Sequence, residues 1–317
     1  MKNKTHVIIN PASAGGKTGK EQIHILRVVE KNLGHAYSLC VTQKPREASI
    51  STKKAIIEGS ELIITIGGDG TIQETVNGFF SNGSPINPSC QLGIVDSGTG
   101  SGFAQSLGLP PSIEKQMKAI CSLQTRSIDV GKVIFSDKRG SHAERYFVNE
   151  CQAGIGGAVV EKVQSAHKKL GGRLAFGSST LGLVFRYPNL PMSVSIDGGP
   201  EIRKRYIGIV VANGSFMAGG MNLTPDAEVD DGLFDILLMH EQSLPQRLWN
   251  FPKIYSGRHI NSSKFSHCRG KSVHIASSEH VLFEADGELL GNLPCALEIV
   301  PSALQVRTRF PVKQEKQ

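Results

Sequence analysis

Aromatic side chains are scarce in this chain: 317 residues hold one tryptophan and five tyrosines. No segment interleaves aromatic and basic residues in the way that stacks on single-stranded nucleic acid, so a nucleic-acid partner is not expected. The six cysteines, at positions 40, 90, 121, 151, 268 and 295, stand singly with no Cys-x-x-Cys pair. That spacing excludes a disulfide scaffold, argues against structural zinc and fits a reducing compartment. No apolar run approaches the ~18 residues of a membrane-spanning helix. The opening residues, MKNKTHVIINPASAGG, carry a three-residue apolar run, too short for a signal-peptide core. The expected location is therefore the cytoplasm.

Glycine, by contrast, is abundant, at 35 of 317 residues, well above the usual ~7%. Charged residues at 20% and hydrophobic residues at 39% are ordinary for a folded protein of this length, which suits about two domains. A surplus of 35 basic over 28 acidic residues gives a net charge of +7. Such a balance favours anionic partners, whether nucleotides or acidic lipid surfaces, without choosing among them.

The first part of the chain alternates strand and helix. Val7–Asn10, Tyr37–Val41, Leu62–Ile66 and Leu92–Val95 read as strands; Thr18–Leu33 and Ala48–Glu58 read as helices, and a further helix begins near Ile72. In the Thr18–Leu33 helix, Ile23, Leu26, Val29 or Glu30, and Leu33 recur at helical spacing. Strands separated by helices of this length imply parallel βαβ units, a Rossmann-like α/β domain. After about residue 128 the rhythm changes to short strands: Asp129–Phe135, Arg145–Asn149, Met192–Ile196, Tyr206–Ala212, Leu233–Met239, Ser272–Ala276 and Val281–Glu284. Val159–His167, a stretch around Arg173–Val184, and Pro245–Tyr255 read as helices. This predicts a second domain of mainly antiparallel β-sandwich. The boundary is set at 1–130 and 131–303, with the tail 304–317 packing back on the first domain.

Three of the first four strands run into glycine-rich polar turns, NPASAGG, GGDGT and DSGTGSG. In an open parallel sheet ligands sit outside the carboxyl ends of the strands, so these turns should share one edge. In Gly67-Gly68-Asp69-Gly70-Thr71, backbone amides at the start of a helix form a cradle for phosphate oxygens. Asp69 suits such a cradle when a cation accompanies the phosphate, which points to a metal-bound nucleotide; otherwise Asp69 or Thr71 is a helix cap. Two decoys fail. The GGKT at 15–18 has Pro11 in place of the first Walker A glycine, and GTGSGF at 98–103 ends in Phe103 rather than glycine.

Farther on, PDAEVDDGLFD (225–235) gathers four aspartates and a glutamate around a glycine. It is either a solvated hairpin or a loop whose carbonyls and carboxylates hold a hard cation. FEADGELLG (283–291) contains Asp286-Gly287, a strong hairpin signal.

Together, IINPASAGGKTG, the GGDGT segment with Glu74 and Asn77, SGTGSGFAQSLGLP, RSIDVGKV, YFVNECQAGIGG, VANGSFMAGGMNLTPDAEVDDGLFDI and FEADGELLG resemble the bacterial diacylglycerol kinase-type lipid kinases. That family is related to sphingosine kinases and, more distantly, to NAD kinases. The resemblance implies an N-terminal ATP-binding α/β domain, a C-terminal β-sandwich and magnesium-dependent transfer of the ATP γ-phosphate to a lipid hydroxyl, diacylglycerol giving phosphatidic acid. It places ATP on Asn10, Pro11, Ala12, Ser13 and Ala14, on Thr42, on Gly68, Asp69, Gly70, Thr71, Ile72, Gln73 and Glu74, and on Thr99. It implies a magnesium ion at Glu228, Asp231 and Leu233, the first and last through main-chain oxygens. Glu288 is marked as the general base, with Asp286 its rival, while Asp69 and Asp129 are further acidic positions that orient metal or substrate. Asp129 is equally readable as a turn residue. One departure is clear: Ser101-Gly102 stand where most relatives have Asn-Asp. The partners expected are a lipid alcohol and transient contact with an anionic membrane surface, through Arg203-Lys204-Arg205 and Lys168-Lys169 with Arg173, and a homodimer is compatible with them. An NAD kinase-like or sphingoid-type kinase, or a non-catalytic nucleotide or lipid binder, are the alternatives.

Overall fold

A computed structural model describes residues 4–137, 139–170, 182–217 and 219–308. Most of the helix expected around Arg173–Val184, and Arg173 itself, lie outside the described residues, as do the side chains of Lys168 and Lys169. The chain divides into one compact unit of Met1–Ile128 with Ser302–Gln317 and another of Asp129–Pro301.

The first unit is a parallel α/β structure. Strands β1 (Thr5–Ile9), β2 (Tyr37–Val41), β3 (Leu62–Gly67) and β4 (Gln91–Asp96) lie in the order β2-β1-β3-β4, every pairing parallel. All six residues of β3 are buried, which is why LIITI reads as an unbroken apolar run. The helices are α1 (Gln22–Leu33), α2 (Glu47–Ile57), α3 (Asp69–Asn77), α4 (Gly102–Ser106) and α5 (Ile113–Cys121). The predicted Thr18–Leu33 helix is two helices, broken at Glu21. Its expected core face holds at Val29 and Leu33 and shifts at the other positions. Ile23 is 70% exposed, and the buried stripe is Ile25, Val28 and Val29, packed with Val7, Ile9, Ile64 and Ile66. That i, i+3, i+4 set forms the tighter apolar face. Helix α5, which the sequence reading did not assign, follows Pro110-Pro111; Ser112 caps it by accepting the Lys115 amide at 3.3 Å, and Met117 and Ile120 anchor it in the same core.

Helix α3 starts at Asp69, three residues before the expected Ile72. Gly68 is extended, and its carbonyl already accepts the Thr71 and Ile72 amides at 2.9 and 3.1 Å. The strand thus turns into the helix without an intervening loop.

The second unit is a mainly antiparallel β-sandwich. Its strands are β5 (Thr125–Ser136), β6 (His142–Phe147), β7 (Glu150–Gly154), β8 (Leu190–Ile196), β9 (Ile202–Ala212), β10 (Phe234–His240), β11 (Phe265–Gly270), β12 (Ser272–Ala276), β13 (Leu282–Ala285), β14 (Glu288–Asn292) and β15 (Cys295–Arg307). The unit boundaries fall within β5 and next to Ser302 of β15, whose last residues pair in parallel with β4. The single strand expected at Arg145–Asn149 ends at Phe147, and a new strand starts at Glu150. Strand β9 pairs with β7, β8 and β10. Its Ile209 and Val211 enter one apolar cluster, with Phe147, Phe234 and Phe283, and its Val210 and Ala212 enter another, with Leu237. Helices α6 (Ile155–Leu170) and α7 (Leu244–Tyr255) belong to this unit, with a short helical stretch at 182–186 and a 3-10 turn at Arg258–Asn261. Among the described residues no helix is long and apolar enough to cross a membrane.

One close approach orders the loops of the first unit. A Cβ built on Gly98 would lie 2.6 Å from the Gly68 Cα, whereas one on Gly70 meets nothing within 4 Å. Gly98→Ala should therefore cost about 1–3 kcal/mol of folding stability. Gly70→Ala should stay within ~1 kcal/mol of wild type. Urea denaturation of the two variants tests both, and equal losses would contradict this reading of the loops.

Candidate active site

The parallel register brings the carboxyl ends of β1, β3 and β4 to one edge of the first unit, and hydrogen bonds tie the loops that follow. The Asn10 amide donates to the Ile66 carbonyl at 3.0 Å and the Ser97 amide to that of Gly67 at 2.9 Å. The Asn10 side chain donates to Thr71 Oγ1 at 2.9 Å and accepts the Ala12 amide at 3.0 Å. Ser13 Oγ reaches the Asn10 carbonyl and Thr18 Oγ1, which in turn contacts Ser97 Oγ at 2.9 Å. Pro11 accepts the Gly19 amide at 3.0 Å, and Ala14 holds a left-handed conformation at φ 53°. Thr42 stands after β2, its amide on the Ile9 carbonyl at 2.9 Å.

The segment Gly68–Glu74 contributes unevenly. Thr71, Ile72 and Gln73 are buried, and the Thr71 and Ile72 amides are held by the Gly68 carbonyl, so the backbone left for a ligand is that before them, at Gly68–Gly70. Gly70 is exposed and Glu74 half-buried, and Thr99 is exposed in the turn after β4.

Asp69 has a partner that sequence reasoning did not find. Its two carboxylate oxygens accept the Gly102 and Phe103 amides, each at 3.2 Å, so it caps α4. Burial pushes this carboxyl above its ordinary range; the two amides oppose that shift, and the neighbouring Asp96 adds to it. Ser101, in a left-handed conformation, donates to Asp96 Oδ2 at 2.5 Å, and Asp96 Oδ1 accepts the Gly98 amide at 3.0 Å. The Ser101-Gly102 departure therefore supplies a hydroxyl to one aspartate and an amide to another. Thr18, Asp96, Ser97 and Ser101 join the loop network unannounced, the only signal being the small polar residues beside the glycines.

In the second unit the acidic residues fall into two groups. Asp129 is buried; its amide donates to Val229 at 2.7 Å and its Oδ2 accepts the Gly232 amide at 2.6 Å. Asp231 Oδ1 takes the Leu233 amide at 3.0 Å, and Oδ2 lies 3.2 Å from Arg269 Nη1. Burial raises the Asp231 carboxyl, with the Leu233 amide and Arg269 opposing. Arg269 also pairs with Asp235, whose Oδ2 is buried without a hydrogen-bond partner. Glu228 is exposed and Leu233 half-buried. These oxygen donors suit a hard cation such as magnesium. Among the described residues, however, no three acidic, His or Cys side chains converge to hold one. An ion at Glu228, Asp231 and Leu233 would draw on one carboxylate and main-chain carbonyls, the mixture the resemblance implies.

The second group surrounds the turn between β13 and β14. Asp286, at φ 45°, accepts three amides, those of Val148, Asn149 and Glu150, at 2.7, 3.0 and 2.9 Å. Beneath the turn, buried Glu284 accepts the Gly287 amide at 2.8 Å. Burial pushes its carboxyl up to about 8, the Gly287 amide opposing and Asp286 adding. Glu288 stands at the start of β14, half-exposed, with Arg145 Nε at 3.5 Å. An ion pair this exposed contributes ~1 kcal/mol at most. Asn213, fully buried, donates to the carbonyls of Asp129 and Val148 and so links the two groups. It was not foreseen from the sequence.

Comparison with known proteins agrees along the whole chain. Residues 4–133 match the diacylglycerol kinase catalytic domain, and residues 149–308 match the YegS C-terminal NAD kinase beta sandwich-like domain. A diacylglycerol kinase of Staphylococcus carnosus (strain TM300) is 29% identical over 316 residues, 99% of this chain and 97% of the relative. A crystal structure from Bacillus anthracis str. Sterne, of a protein assigned as a diacylglycerol kinase, superposes with a TM-score of 0.75 at 23% identity and 97% coverage of both chains. Yeast NADH kinase complexed with NADH shares the fold at a TM-score of 0.58 and 13% identity, covering 96% of this chain and 84% of that one. Two family matches in the same order as the two units, with a full-length relative behind them, lead to one conclusion: the chain belongs to the bacterial diacylglycerol kinase-type lipid kinase family and is a kinase.

Proposed function

We propose that this kinase transfers the γ-phosphoryl group of ATP to a lipid hydroxyl, with diacylglycerol the acceptor and phosphatidic acid the product. The observation that carries this reading is the set of strand-to-loop junctions of the first unit, tied to one another at a single sheet edge with α3 starting directly after β3. The amides that open a helix, here those ahead of Thr71, have no intrahelical partner, and the helix dipole adds a partial positive charge there. Loops 10–14 and 68–74 with Thr99 would hold the phosphates, and Thr42 the nucleoside end. Phosphoryl transfer asks mainly for alignment and charge neutralisation, and rigid backbone amides supply both.

For the proton of the attacking hydroxyl, the hydrogen bonds favour Glu288 over Asp286. Asp286 is committed to three amides, so its part is to pin the turn that carries Glu288, which keeps a half-exposed carboxylate beside Arg145. Glu288 then accepts the proton as the oxygen–phosphorus bond forms. Asp129, held by the Val229 and Gly232 backbone, would position the 229–232 loop. Magnesium, if bound, would be held by Glu228, Asp231 and Leu233 and would supply positive charge to the 229–232 loop. The acceptor lies in a membrane, so contact with an anionic lipid surface is part of the reading.

Glu288→Gln should lower kcat by 100-fold or more, a general-base magnitude, with nucleotide affinity within about twofold of wild type; turnover retained would move the base elsewhere. Diacylglycerol, a sphingoid base and NAD should be offered in parallel with labelled ATP, and phosphorylation of NAD alone would overturn the lipid reading. Magnesium should raise the melting temperature of the wild type and leave Asp231→Ala unmoved, because an ion bound only by the folded state stabilises it. A wild-type curve unaffected by magnesium contradicts the ion site.

The buried Glu284 adds a pH signature. Its folded value, about 8, lies above its unfolded 4.5, so the folded state binds more protons between those limits. The contribution of Glu284 to stability should be full below about pH 4.5 and decline through about pH 8, at up to ~1.4 kcal/mol per pH unit. Glu284→Gln should flatten that slope in urea denaturation across the window; an unchanged slope would show that Glu284 does not set it.

A further inference from the structure

Helix α7 is built inside out. A surface helix ordinarily buries an apolar stripe and turns its polar residues to water. Here the fully buried residues are Arg247 and Asn250, and of the apolar ones Ile254 packs half-buried against the core. Arg247 donates to the carbonyls of Gln242, Val184 and Tyr187 and to the Asn189 side chain, and Asn250 donates to Gln242. A capping box between Ser243 and Gln246 fixes its start. On the outside, Leu244, Leu248, Trp249 and Tyr255 are 50, 52, 72 and 49% exposed. Leu244, Leu248 and Tyr255 recur at i, i+4 and i+11, one stripe of the helix surface, and Trp249 is the only tryptophan of the chain.

The charge carried by the helix and by the segment that follows it in the chain is of one sign. From Gln242 to Ser278 there is no aspartate or glutamate, while Arg247, Lys253, Arg258, Lys264, Arg269 and Lys271 all fall in that stretch. Arg247 and Arg269 are engaged internally; Arg258 and Lys271 are exposed. Lys253 Nζ lies over the Trp249 ring, 4.8 Å from its centroid, a cation–π contact on the outer face of the helix. Exposed Leu, Trp and Tyr on a helix flanked by lysine and arginine are the composition of an element that lies in the plane of a bilayer surface.

We propose that α7 is a membrane-docking helix, which seats Leu244, Leu248, Trp249 and Tyr255 in the headgroup boundary of an anionic bilayer. The inference rests on the reading of the acceptor as a membrane lipid. A second copy of this chain fits the stripe less well, because a two-fold pairing through it would bring like charges, Lys253 and Arg258, onto the same small interface.

The lone tryptophan reports the event directly. On vesicles of phosphatidylcholine and phosphatidylglycerol, Trp249 emission should shift to the blue, and lipids brominated on the acyl chains should quench it. Leu248→Ser with Lys253→Glu, both at the surface, should weaken vesicle partition about tenfold or more and raise KM for vesicle-borne diacylglycerol. The same variant should leave kcat on short-chain diacylglycerol in detergent unchanged. Unshifted emission on vesicles whose diacylglycerol the enzyme phosphorylates would overturn the docking role. So would a dimer in sedimentation whose Trp249 emission is already blue-shifted without lipid. No turnover of diacylglycerol in detergent would instead sink the acceptor assignment, and a normal blue shift in that case would still support docking.

Discussion

The Gly68 and Gly98 backbones approach so closely that a single added carbon on either would meet the other's Cα within 3.0 Å. The contact is possible because β3 and β4 run parallel in register, Gly67 opposite Asp96, so both strands release their chains at the same height. Everything proposed for the nucleotide depends on it. With two bare backbones side by side, α3 can begin at once after the strand, and Asp69 on its first turn can reach across to the amides that open α4. A side chain at either glycine would separate the loops and uncouple the aspartate from its partners.

A parallel economy operates in the second unit, where carboxylates organise backbone. Asp286 collects three successive amides from the Val148–Glu150 turn, Glu284 holds the Gly287 amide, and Asp129 holds that of Gly232. Hydrogen bonds from amides to a charged acceptor are worth about 1.5–3 kcal/mol each; Glu284, whose carboxyl is held mostly protonated at neutral pH, adds a weaker one, and together they hold Glu288 and the 229–232 loop in place. The acidic residues that stand out in the chain are thus divided in their work: most fix backbone, and few keep oxygens facing outward.

How much of this was legible beforehand follows from what each residue responds to. The buried strands were, because LIITI and the Tyr206–Ala212 run have both faces covered and carry no polar alternation. The glycine-rich junctions were legible as well, since parallel topology dictates which edge they share. The face of α1 was not: Ile23 and Leu26 match helical spacing as well as Ile25, Val28 and Val29 do, and only the sheet beneath decides. Nor were the partners of Asp69, Asp129 and Asp286, because a carboxylate that binds distant backbone amides leaves no local pattern. Helix α5 was hidden by the two prolines before its cap.

The central claim is that main-chain amides of the 67–71 junction hold the phosphate chain of the nucleotide. A crystal structure with a non-hydrolysable ATP analogue and magnesium tests it most directly. The account predicts phosphate oxygens within hydrogen-bond distance of the Gly68–Thr71 backbone. Phosphates bound away from that junction, with the first turn of α3 facing only solvent, would contradict it.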